Sequence, residues 1–169
     1  EKLKNFNKEN LIEIQNETSI ELASDLEALI VKATDKVLEY EGYDIEGEVS
    51  ILLVSDERIQ ELNRSFRSID EVTDVLSFPQ YDSIKDEGLT EPFIYLGDVV
   101  ISLDQAIRQA EEFGHTLERE IVYLTVHSML HLFGYDHMSD EDKKEMREKE
   151  KKVLSALKIF KGTSVQEVQ

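Results

Sequence analysis

The chain has 169 residues, 40% of them hydrophobic and 33% charged, with a formal net charge of −18 and no cysteine. That length suits one soluble globular domain, taken here as 1–169, with a single core. The charge repels polyanions at long range, so a nucleic-acid partner would need a local positive centre. The lack of cysteine removes disulfides, thiolate metal sites and cysteine nucleophiles. No apolar run approaches the ~18 residues of a membrane span. The opening EKLKNFNKEN has no apolar stretch after its lysines, unlike a signal peptide, and begins without Met, as a processed or excised chain would. A cytoplasmic address is the resulting expectation.

No internal repeat or low-complexity linker interrupts the chain. LIEIQN (Leu11 to Asn16) alternates as a strand does. From Thr18 to Glu41, the residues Ile20, Ala23, Leu26, Leu29, Ile30, Ala33, Val37 and Leu38 recur at helical spacing, with Gly42 as the stop. EVSILLVS (Glu48 to Ser55) is nearly all apolar, the pattern of a central strand covered on both faces. Asp56 is positioned to cap the next helix, on which Ile59, Leu62 and Phe66 share a face. TDVLSF (Thr73 to Phe78) is a short strand. The only two prolines, Pro79 and Pro92, bracket an irregular surface loop, and FIYLGDVVIS (Phe93 to Ser102) is a further strand. A helix over Leu103 to Phe113 should turn Ala106, Ile107, Ala110 and Phe113 inward and end at Gly114.

The helix over Thr116 to Phe133 is apolar almost all round after its charged start LERE, as expected of a helix buried in the middle of a domain. Gly134 stands where a left-handed cap ends such a helix. Ser139, with Asp142 three residues on, starts a last helix through about Leu157, and residues 159–169 have the composition of a frayed tail. The order of elements predicts an α+β domain with a mixed four-stranded sheet packed with helices.

Three of the four histidines fall within HSMLHLFGYDH, residues His127 to His137. His127 and His131 are four apart on the buried helix and share a face. His137 follows the Gly134 stop, where the chain must turn, so a third imidazole can swing back to the first two. Three neutral imidazoles with an open position make a catalytic zinc-type site. The plainer alternative is a set of space-filling core histidines satisfied by backbone carbonyls. It suits a lone histidine on an apolar helix, but burying a histidine pair with a third nearby is costly without something to coordinate. The spacing is that of the H-E-x-x-H zinc proteases, except that Ser128 stands where the general-base Glu belongs. Three neutral ligands also leave the full charge of a divalent ion to meet an anionic substrate such as a phosphodiester.

HSMLHLFGYDH resembles the H-G-x-L-H-L-x-G-Y-D-H signature of the YbeY family of bacterial metal-dependent endoribonucleases. FRSIDEVTDVLSFP (Phe66 to Pro79) is similar to that family's Y-R-x-x-D-x-P-T-D-V-L-S-F-P, and LGDVVIS (Leu96 to Ser102) and GHTLERE (Gly114 to Glu120) agree with it. Two positions depart from the pattern: Ser128 where Gly is usual and Val72 where Pro is common. The resemblance implies a zincin-like fold and one divalent ion on His127, His131 and His137, zinc in the first place and nickel in the second. It implies cleavage of single-stranded RNA in small-subunit ribosomal RNA maturation and ribosome quality control, with ribosomal proteins or assembly factors as partners. It also implies that the family's functional arginine is Arg67.

Other candidates have weaker claims. Arg67 falls at the margin of its helix's apolar face and could clamp a phosphate or cap carbonyls; the resemblance favours the first. Arg64 points away and should be solvated. Glu120 shares the azimuth of the two helical histidines but lies ~10 Å along the axis from His127, too far for a ligand. It could meet an arginine or line the approach, though a plain first-turn acid is the simpler account. Asp136 could orient an imidazole or shape the turn. Asp74 and Asp98 remain undecided between site and scaffold, His115 is a loop residue, and SDEDKKEMREKEKK (Ser139 to Lys152) is a solvated face. Two other functions compete: a different hydrolase such as a peptidase, against which Ser128 speaks, and a ribosome-assembly factor with a structural metal, which would need a fourth ligand to close the site.

Overall fold

The computed structural model describes residues 10–41, 46–82, 84 and 93–158. The elements in chain order are β1 (Leu11–Asn16), α1 (Ser24–Glu41), β2 (Glu46–Val54), α2 (Asp56–Arg67), β3 (Val75–Pro79), β4 (Phe93–Ser102), α3 (Leu103–Phe113), α4 (Leu117–Leu132) and α5 (Asp140–Ala156). The strands form one mixed sheet in the order β1-β2-β4-β3. β1, β2 and β4 run parallel, and β3 runs antiparallel to β4 at the edge. The α+β class and the mixed four-stranded sheet match the sequence expectation.

The main core lies between one face of the sheet and the helices α1 and α4, and is built from Leu26, Ile30, Val37, Val49, Leu53, Leu96, Val99, Leu124, Met129 and Leu132, among others. α4 sits centrally, packed against α1, α3, α5, β3 and β4, which is why its sequence is apolar on nearly every side. α2 covers part of the other face through a smaller cluster of Val54, Ile59, Leu76 and Val100. Among the described residues no helix is long and apolar enough to cross a membrane.

Several boundaries differ from the sequence expectation for local reasons. α1 starts at Ser24, not Thr18. The intervening turn is held by side chains: Asn16 Oδ1 accepts from the Thr18 amide and hydroxyl, and Asn16 Nδ2 donates to the Ile20 carbonyl. These bonds give the backbone an alternative to helix. β2 alternates between buried and half-buried positions, because helices cover its second face only in part. Ser55, not Asp56, caps α2, its hydroxyl accepting from the Arg58 amide. Phe113, expected inward, is 64% exposed, and Phe66, which shares a face of α2 with Ile59 and Leu62, is 69% exposed. Phe66 instead packs edge-on against Phe78 at 5.4 Å, and Phe113 stacks beside His115. Gly42, most of the Pro79 to Pro92 segment and residues 159–169 lie outside the described residues.

Gly97 is required where β4 meets the end of β3. Its φ is +138°, and a Cβ there would come within 2.3 Å of the Phe78 carbonyl oxygen. The register between β2 and β4 shifts beside it.

Candidate metal centre

The end of α4 shapes the site. Gly134 has φ +108°. Its amide donates to the His131 carbonyl and the Tyr135 amide donates to the Leu130 carbonyl, the paired bonds of a Schellman turn. The segment beyond is tied down twice more. The buried Tyr135 hydroxyl donates to Glu41 Oε1 on α1 at 2.7 Å, and Lys149 on α5 reaches the same carboxylate at 3.2 Å. Asp136 Oδ1 accepts from the Met138 amide. The turn therefore delivers His137 back beside α4.

The trio converges as the spacing predicts. One ring nitrogen from each of His127, His131 and His137 lies within 4.8 Å of the others. Ring centroids are 4.8 Å apart for His127 and His131, 5.2 Å for His131 and His137, and 6.0 Å for His127 and His137. Burial, helped by the neighbouring His127, pushes the His131 pKa down to about 4, so this imidazole is neutral and ready to ligate at physiological pH. His127 Nδ1 stands 2.5 Å from Oε2 of Glu150 on α5. With Nδ1–H donating to that carboxylate, Nε2 keeps the free lone pair.

Glu150 lies in the segment whose alternating charges predict a solvated face, yet it is only 6% exposed. Met146, Glu150 and Val153 are the buried stripe of α5. Their i, i+4, i+7 spacing is the signal that marks the inward side, but the surrounding charge run masks it. Tyr123, stacked beside His127, extends its hydroxyl toward the other Glu150 oxygen. Burial and the Glu150 charge push its pKa up to about 12, so it stays a neutral phenol.

A cleft of about 580 Å³ opens on the trio, and its walls include Arg67, Asp74, Asp82 and Asp136. Arg67 is the last residue of α2. The carbonyls it could have capped are taken by backbone donors, Ser68 to Arg64 and Ile69 to Asn63, with Ser68 in the left-handed conformation. Asn63 Nδ2 holds the following loop through the Glu71 carbonyl, and the exposed Arg64 pairs with Asp70. Among the described residues the Arg67 guanidinium has no ion pair or side-chain hydrogen bond. Asp74 precedes β3. Its carbonyl accepts from the Ser102 amide, and its Oδ2 accepts from Gln109 Nε2. Asp136 lines the cleft, but its bond goes to the Met138 amide, shaping the turn.

Two candidates do not gather there. Asp98 lines a separate groove on the α2 side of the sheet and takes a 2.5 Å bond from the Tyr95 hydroxyl. Glu120 is in the first turn of α4 as expected, but it is 4% exposed. Its carboxylate meets Nε2 of His115 at 3.2 Å, so His115 is a half-buried partner and not a free loop residue. Burial, reinforced by the Asp74 charge and opposed by Arg119, raises the Glu120 pKa to about 7.

The chain matches the family described as endoribonuclease YbeY over residues 11–158. It belongs to the YbeY family. The endoribonuclease YbeY of Caldanaerobacter subterraneus subsp. tengcongensis is 51% identical over 141 residues, spanning 80% of this chain and 89% of that protein. That of Clostridioides difficile is 48% identical over 144 residues, spanning 85% and 90%. The solution structure of TM1509 from Thermotoga maritima aligns with a TM-score of 0.57 at 34% identity, over 86% of this chain and 87% of that one. Of the two departures from the YbeY pattern, Val72 is exposed in the loop before β3, whereas Ser128 is fully buried. Among the described residues the Ser128 hydroxyl has no hydrogen-bond partner, although its carbonyl accepts from Ser77 on β3.

Proposed function

We propose that this chain is a metal-dependent endoribonuclease that cuts single-stranded RNA, acting in the cytoplasm in small-subunit ribosomal RNA maturation and ribosome quality control. Ribosomal proteins or assembly factors are its partners, and one zincin-like domain over residues 1–169 carries the activity. Endoribonuclease is the name its YbeY relatives bear. The observation that carries the reading is a trio of imidazole nitrogens within 4.8 Å of one another, opening on a cleft that also holds Arg67.

The donor set fits a divalent ion, zinc before nickel: three nitrogens at one corner, none of them a carboxylate or thiolate. A bound ion there supplies Lewis acidity toward a phosphoryl oxygen or a water. The chain's own residues do the rest. Arg67 offers two parallel N–H donors to a phosphate and opposes the charge that builds on it. Glu150 fixes the His127 ring, and the Schellman turn at Gly134 fixes His137. Asp74, Asp82 and Asp136 are the cleft carboxylates available to accept a proton. The position where H-E-x-x-H peptidases carry their base is the buried, neutral Ser128, which weighs against peptide cleavage.

The test is elemental analysis of the purified protein with cleavage of a labelled single-stranded RNA before chelation, after it, and after adding zinc back. Cleavage should vanish and return. It should also be lost in His127→Ala with an unchanged circular dichroism spectrum. Cleavage that survives chelation or that substitution would point to a contaminating nuclease and sink the reading. Fragment ends then separate water attack from attack by the 2′-hydroxyl, which leaves a cyclic phosphate.

A further inference from the structure

A second groove, of about 320 Å³, lies beside the metal centre and is lined by Tyr123, His127, His137, Lys143, Met146, Arg147 and Glu150. It shares two walls, His127 and His137, with the cleft that holds Arg67. His127 and His137 are therefore a ridge between two openings, with His131 on the Arg67 side. Lys143 and Arg147 are one turn apart on α5, both exposed, and neither has an ion pair among the described residues. The one carboxylate in the groove, Glu150, is buried and faces the His127 ring and the Tyr123 hydroxyl. In a chain with 37 acidic and 19 basic residues, an opening whose exposed charges are two cations is a local reversal of sign. A helix spacing of i, i+4 sets these cations ~6 Å apart along the axis, a span that two successive backbone phosphates can bridge.

We infer that Lys143 and Arg147 form a second phosphate subsite, which holds the RNA strand on the far side of the metal centre from Arg67. The strand then crosses the ridge with its scissile phosphate over the trio. Arg67 meets that phosphate from its own cleft, and the α5 cations hold the strand on the other side. This inference rests on the RNA-cutting reading. It explains how an acidic protein can hold a polyanion: the attraction is confined to a line of positive points through the site, and the rest of the surface repels.

The test is binding of a fluorescein-labelled 20-nucleotide oligouridylate by the full chain. The strand carries 2′-O-methyl sugars to slow its cleavage with the metal in place, cutting of the unmodified oligouridylate is followed in parallel, and anisotropy follows binding across a series of NaCl concentrations. Lys143→Ala with Arg147→Ala should weaken binding about tenfold at low salt. It should also flatten the plot of log affinity against log salt by about 1.4, since each phosphate contact on a single strand contributes ~0.7. The control is Lys144→Ala with Lys151→Ala, which removes the same charge from the outer face of α5 and should change affinity less than about twofold. Equal losses in the two double variants would mean net charge alone and overturn the subsite, as would an unchanged salt slope in the first. Wild-type protein that cuts the oligouridylate while the Lys143/Arg147 variant keeps its slope removes this inference only. Wild-type protein that neither binds nor cuts it removes the RNA reading and the subsite together.

Discussion

The Glu150 carboxylate and the His127 imidazole meet at 2.5 Å across the α4–α5 interface. A carboxylate behind a ligating histidine fixes both the ring's orientation and its tautomer, and raises the basicity of the nitrogen that faces the metal. Glu150→Ala should therefore lower zinc affinity by about 10- to 100-fold. Glu150→Gln keeps an acceptor for Nδ1–H and should lose less. Competition with a chromophoric chelator measures both. Equal, wild-type affinity in the two variants would show that the contact does not serve the metal.

Arg67 lines the cleft with no ion-pair partner among the described residues, so its removal strands no carboxylate there and should hardly touch stability. On the present reading, Arg67→Ala lowers kcat/KM for RNA by about 10²-fold or more, the scale of losing one charge-stabilising donor set, and leaves zinc content at one ion per chain. Arg67→Lys should recover only part, because an ammonium cannot give the two parallel bonds of a guanidinium. Full activity in the lysine variant would argue for a simple charge effect.

Periodicity and spacing carry most of the architecture. The four strands, the buried α4 and the convergence of His127, His131 and His137 are all legible, because each depends on local pattern or on one helix and its stop. What pattern does not supply is side-chain pairing between distant segments. Glu150 and His127 are 23 residues apart, and Tyr135 and Glu41 are 94 apart. In a run as charged as SDEDKKEMREKEKK, one buried glutamate looks like its solvated neighbours. His115 likewise has the sequence context of a loop residue, because its partner, Glu120, is defined only when the loop folds back on α4. The late start of α1 is hidden because the Asn16 and Thr18 side chains compete with helical bonds that apolar spacing alone favours.

Ser128 suggests a stability test. Its hydroxyl is fully enclosed and, among the described residues, unpartnered, and leaving a buried hydroxyl unsatisfied costs about 1–3 kcal/mol. Ser128→Ala removes the orphaned group and improves helix propensity by a few tenths of a kcal/mol. It should raise stability by about 1 kcal/mol, or roughly 2–4 °C in Tm for a domain of this size, with zinc binding unchanged. A lower Tm would mean that the hydroxyl has a partner, such as a trapped water, that compensates its burial.

Gly97 gives the opposite expectation. Its positive φ, and a Phe78 carbonyl oxygen only 2.3 Å from where a Cβ would stand, make alanine both strained and overpacked there. Gly97→Ala should cost about 3 kcal/mol or more, seen as a lower urea midpoint. Because β3 itself carries the cleft residues Ser77 and Pro79, RNA cleavage should fall with it. A midpoint within experimental error of wild type would show that the β3–β4 edge can move apart freely.

Glu120 predicts a pH dependence. Its pKa rises from the ordinary 4.5 to about 7 in the folded protein, through burial first and the Asp74 charge second. Between those values the folded chain holds a proton that the unfolded chain has released. Stability from this group is thus fully present below about pH 4.5 and is lost as pH rises through 7. The full shift is worth about 3 kcal/mol at most, less whatever a protonated His115, 3.2 Å away, returns to the charged form. Glu120→Gln is neutral throughout and can still hydrogen-bond to His115. Urea midpoints of metal-free wild type and Glu120→Gln should therefore diverge between about pH 4.5 and 7, the variant gaining on the wild type as pH rises, and keep a constant gap above that. Taking the difference cancels the histidines common to both. Parallel curves would mean that Glu120 is charged across the range, with His115 or Arg119 neutralising it in place.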